Sequence, residues 1–115
     1  MKKLDLARYQ KSRESVVDAG PHKITIRRPS ALEVARLSNT GGGVSIEFAC
    51  QCVTGWANVN ESDLVPGGDP EPVEFDRELF AAWITDQPQL WNVIVSAVIE
   101  SYQRHEAAQA ERGNA

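Results

Sequence analysis

Residues 1–13 carry Leu4, Leu6 and Tyr9 as large apolar groups scattered among charges. That is too little to hold a segment down, so they are expected to form a flexible basic arm that only a partner orders. From Glu14 the pattern changes to two short extended runs, ESVVDA and HKITIRR, joined across Gly20-Pro21. Ile24 and Ile26 alternate with Lys23, Thr25 and Arg27 at the period of a half-buried strand, and Gly-Pro supplies turn chemistry, so residues 14–28 predict a β-hairpin. Two strands alone are marginal, and the face bearing Val16, Val17, Ile24 and Ile26 is expected to pack on helices. Pro29 closes the strand. Ser30 followed by Glu33 fits a capping box, in which each side chain satisfies a free backbone N–H of the first turn, and predicts a helix over about 30–38. Asn39, Thr40 and Gly41 to Gly43 end it, because three successive glycines lose too much backbone entropy inside an element.

Val44 to Trp56 fits two periods at once. Val44, Ile46, Phe48, Cys50 and Cys52 alternate with polar or small residues as a one-sided strand does. Ile46, Ala49, Cys50, Val53 and Trp56 equally follow the i, i+3, i+4, i+7 spacing of a helix face. Periodicity alone leans to strand. The stretch NVNESDLVPGGDPEP after Ala57 is dense in Pro, Gly, Asn and acids and reads as a loop of about fifteen residues. Two clearer helices follow. Asp76 is placed as the N-cap of a helix over 76–85, with Phe75 positioned to staple onto Phe80, and Leu79, Phe80, Trp83 and Ile84 make its apolar face. Pro88 suits the first turn of a second helix over 87–104, capped by Asp86 or Gln87. Leu90, Trp91, Val93, Ile94, Val95, Ala97, Val98, Ile99 and Tyr102 surround that helix, so it is expected either at the centre of the domain or with one face on another copy or a client. Beyond Tyr102 the apolar face is lost, and residues 105–115 predict a frayed polar tail.

With 115 residues, 42% of them apolar, the chain has material for one modest core, a single globular domain over 14–104. The net charge of −4 is unevenly spread: residues 1–28 carry eight cations against three carboxylates, +5, and the remainder carries −9. Such a split suits a basic arm projecting from an acidic body, or copies pairing head to tail, and it suits ordinary solvated faces as well. No run approaches the roughly 20 apolar residues of a membrane span, and no apolar stretch follows the N-terminal lysines as in a signal peptide, so a cytoplasmic protein is expected.

Candidate chemistry is sparse. Cys50 and Cys52, the two cysteines, read as buried inert thiols, since neither His22 nor His105 stands at a ligand spacing from them. Asn58, Asn60, Glu61 and Asp63 lack the EF-hand spacing. No phosphate loop, nucleophile elbow or cofactor motif is present, and Glu71, Glu74, Asp76 and Glu78 are accounted for by capping and solvation, so no enzyme, metal or cofactor is expected. The basic stretch has no interleaved aromatics to stack bases, which argues against nucleic acid as a partner. Trp56, Trp83 and Trp91 each lie on an apolar face as core anchors, with one at a rim free to anchor a partner.

VTGW at Val53–Trp56, the acidic Gly/Pro loop and PVEFDRELFAAWITDQPQLWNVIVSAVIESY, together with ITIRRPSALEVARL, resemble the tail assembly chaperone family of long-tailed phages. The resemblance spans Ile24 to Tyr102. It implies a mainly α fold of about four helices with a small N-terminal β-hairpin, α+β being the fallback, and it tips residues 44–56 to helix. It further implies binding to a largely helical tape measure protein before the tail tube polymerises around it, contact with the tail-tube protein, and self-association. Helix-in-groove contact is the natural mode, and the outer face of the last helix, Val93, Ala97 and Tyr102 with Trp91 near its start, is the expected surface. A structural tail or head–tail joining subunit is the first alternative, and a nucleic-acid adaptor working through the basic stretch is the second.

Overall fold

The computed structural model describes residues 1–113, and its organising feature is a three-stranded antiparallel sheet in the order β1 (Glu14–Ala19), β2 (His22–Arg27), β3 (Val53–Ala57). The expected hairpin is its first half. Ala19 pairs with His22 across Gly20-Pro21, and Gly20 takes the positive φ of 62° that primed hairpin turns need. Alternation turns Ile24 and Ile26 into the core, fully buried, with Val17 half-buried opposite Ile24. Val16, expected on the same face, lies on the other one and is 61% exposed, because adjacent strand residues point to opposite sides.

Residues 44–56 do not form one helix. They divide into α3 (Ile46–Gln51) and β3, with the change at Cys52. Ser45 caps α3 by accepting from the Phe48 N–H at 3.1 Å. The β-branched pair Val53-Thr54 and Gly55 then disfavour continuing the helix, and the free edge of β2 offers a ladder instead: Ile26 pairs with Val53 and Ile24 with Trp56 around a register shift. The alternation of Val44 to Cys52 thus falls on the part that is helix, and the strand is the part beyond it.

Among the described residues six helices accompany the sheet, so the architecture is mixed α+β, the fallback class, with more helices than the four expected. α2 (Ala31–Asn39) opens on the foreseen capping box. The long loop contains one turn, α4 (Glu61–Leu64), and closes through an Asn60–Pro72 bridge. α5 (Arg77–Ile84) begins at Asp76, whose carboxylate accepts from the Leu79 N–H at 2.9 Å, with the Phe75 and Phe80 rings 6.0 Å apart as the staple requires. α6 runs from Pro88 to Gly113 and packs on β1, β2, α3 and α5. Its buried residues, Leu90, Ile94, Ala97, Val98 and Ser101, form one stripe at helical spacing, with Trp91, Val93 and Val95 half-buried beside it, so one face of the helix turns to the core and the burial on all sides expected of a central helix is not reached. The expected fraying from residue 105 gives way to continuous helix through Gly113, while Asn114 and Ala115 lie outside the described residues. The arm is structured too: α1 (Leu6–Lys11) starts where Asp5 accepts from the Ala7 N–H, though none of its residues is buried.

An aromatic cluster joins the sheet to α5. Trp56 meets Phe75, Phe80 and Trp83 edge-on at 5.4, 6.3 and 5.7 Å between ring centroids, and its Nε1 donates to the Val73 carbonyl at 2.7 Å, holding the far end of the loop.

Candidate protein-binding groove

α3, α5 and the first turn of α6 do not close on one another completely. Between them lies a groove of about 530 Å³ with an almost wholly apolar lining. Its floor is Phe80 and Ile84 from α5, and its walls are Ile46 and Cys50 from α3 and Trp91 from α6, with the exposed Ala81 and Thr85 at the mouth. Trp91 is fixed by its own indole, whose Nε1 donates at 2.7 Å to the Ile84 carbonyl in the last turn of α5, which also accepts from the Gln87 N–H. Arg77 stands at the rim with its guanidinium donating to the carbonyls of Val53 and Cys50, the latter at 3.5 Å. Glu47 and Gln51 complete the edge. An apolar channel flanked by polar residues has the form that takes one face of an amphipathic helix.

The thiols near this groove are poor nucleophiles. Burial pushes Cys52 up to about 11, and burial followed by the Glu47 carboxylate raises Cys50, so both stay protonated near neutrality. Among the described residues no three His, Cys, Asp or Glu side chains gather as a metal-binding group, and no helix is long and apolar enough to cross a membrane.

A second, polar concavity of about 380 Å³ lies against the other face of the sheet, between Gln10, Arg13, Glu14, Arg27, Ser30, Glu33 and Thr54. Arg27 there grips Glu33 in a fork, 2.9 and 3.0 Å, which lowers the Glu33 pKa and raises that of Arg27. One cation of the basic stretch is thus already neutralised within the fold.

Of the four residues expected to form one outer surface of the last helix, only Trp91 lines the groove. Val93 is half-buried against the core, Tyr102 is half-buried more than two turns further along, and Ala97 belongs to the core at 9% exposure. The expected outer face is therefore corrected. At about 100° per residue, Trp91 and Val93 point some 200° apart and do not share a face, and Ala97 falls in the stripe turned to the sheet. Ile46, Cys50, Phe80, Ala81 and Ile84 were missed because the groove is made where three separate elements meet. Its one sequence signal was that both candidate faces, on α3 and α5, hold more apolar groups than a single contact needs. Compared with the models of known protein families, with curated proteins and with solved structures, the chain matches none.

Proposed function

We propose that this chain is a non-enzymatic protein-binding domain that holds an apolar helical stripe of a client in the α3–α5–α6 groove. The supporting observation is the groove itself, open, apolar and walled by the fixed indole of Trp91. The motifs from Ile24 to Tyr102 that resemble tail assembly chaperones give the client a class: a tape measure protein, long and helical, whose exposed apolar stripes need a soluble acidic cover in the bacterial cytoplasm until the tail tube forms around it. Trp91 belongs to this surface, and Ile46, Cys50 and Ala81 replace Val93 and Ala97 in it.

The reading is tested by co-expressing the chain with a tape measure protein and measuring how much of the latter stays soluble and co-purifies. Ala81→Arg and Ile46→Glu place a charge in the groove from positions that are not fully buried, and either should reduce co-purification at least tenfold with the fold intact by circular dichroism. Undiminished binding by both variants would rule the groove out. Bound client should also shield Cys50 from maleimide, a signal that an encounter elsewhere on the surface does not give.

A further inference from the structure

α1 contributes nothing to the core. None of its residues is buried, and Leu6 is 67% exposed and Tyr9 50%, with Leu4 just before it at 59%. Leu6 and Tyr9 are three residues apart and so share one face of the helix. Single exposed apolar groups are ordinary on a surface, but residues 4–9 concentrate three of them, each at least half exposed. Lys2, Lys3, Arg8 and Lys11 surround them against the one carboxylate Asp5.

The groove is apolar as well, and the stretch of chain that bears it is opposite in charge. Every residue lining it comes from the stretch 44–100, which holds ten carboxylates against the single cation Arg77. That cation is occupied by the carbonyls of Val53 and Cys50, while Glu47 faces solvent at the rim. A short basic helix with an apolar face and an apolar channel borne on the acidic part of the chain are complementary in both respects. We infer that α1 of one copy docks in the α3–α5–α6 groove of a second copy, Leu6 and Tyr9 entering the channel and the flanking lysines and arginine meeting Glu47 at the rim. A second copy is the occupant because α1 is tethered in its own chain. Only Ser12 separates it from Arg13, which donates through its guanidinium to the Arg28 carbonyl at 2.6 Å and accepts from the Arg28 N–H at 2.8 Å. The contact joins different surfaces on the two copies, so it extends into chains unless the rotation closes a ring or two copies exchange α1 reciprocally. It also fills the site proposed for the client, so self-association and client binding exclude each other.

The inference goes beyond the client reading and is measured with the chain alone, so either can fail without the other. Sedimentation velocity of the full chain over a concentration series should show a mass rising with concentration, less steeply at high salt because the charge component is screened. Leu6→Asp combined with Tyr9→Asp should leave a monomer with an unchanged melting curve, since both side chains are already exposed, and Ala81→Arg should do the same by placing a cation in the groove mouth. An equimolar mixture of these two variants then decides the matter. One supplies an intact groove and the other an intact α1, so the mixture should form a pair of chains and nothing larger. A wild-type chain that stays monomeric throughout, variants that associate as it does, or a mixture that remains monomeric would each overturn the inference. Client co-purification by the α1 variant, whose groove is untouched, is expected to persist.

Discussion

At the scale of single residues, the Arg27–Glu33 fork has a pH signature. The hydrogen bonds from Arg27, with those at the Ser30 cap, hold the Glu33 carboxyl below its ordinary value of 4.5. A carboxylate depressed on folding stabilises the native state above its unfolded pKa, and that contribution disappears as the pH falls through the folded value. Glu33→Gln should therefore lower stability in urea by about 1 kcal/mol at neutral pH. The difference from the parent protein should shrink once the pH is well below 4.5. A gap that stayed constant with pH would mean the side chain acts by packing alone. The two cysteines form a second residue-level pair. Cys52 is fully buried with its thiol pushed up to about 11, and Cys50 is half-buried at the groove wall. Alkylation followed by mass spectrometry should modify Cys50 first and Cys52 only as fast as the chain unfolds.

At the scale of elements, legibility followed how local the determining chemistry is. The Ser30–Glu33 capping box, the Asp76 cap with its Phe75–Phe80 staple, Pro88 at a helix start and the Gly20-Pro21 turn were all readable because each is settled within about five residues. Asp76→Ala should accordingly cost about 1 kcal/mol by chemical denaturation, the usual loss for a helix cap. What was not readable depends on distant partners. Val53 to Ala57 is a strand because it takes the edge of β2 that β1 leaves open, a partner located some thirty residues away in the sequence. Val16 faces outward because the alternation that buries Ile24 and Ile26 fixes its side once the register is set. The groove belongs to the same category: Phe80, Ile84 and Cys50 were recognisable as apolar-face residues, yet their failure to cover one another entirely is a property of three packed elements.

At the scale of the whole molecule, the shape says which parts carry stability. A compact chain of this length has a radius of gyration of about 13 Å, whereas this one has 16.2 Å and extents of 56 × 40 × 21 Å. The excess is consistent with α1 and the last turns of α6, where side chains are mostly exposed, extending from a core centred on Ile24, Ile26, Phe80, Ile94 and Val98. Phe80→Ala, which empties the centre of that core, should cost about 3–5 kcal/mol, a large part of the roughly 5–15 kcal/mol available to a domain. Removal of residues 1–11 should behave in the opposite way. None of the α1 residues is buried, and the Arg13–Arg28 pair that ends the sheet stays in place, so stability should change by no more than about 0.5 kcal/mol. The same deletion takes away the proposed occupant of the groove, so small-angle scattering at high protein concentration should find a smaller particle that no longer grows with concentration. A truncated chain that melted several degrees earlier would instead make α1 part of the folding unit. One that kept associating would move the self-contact to another surface.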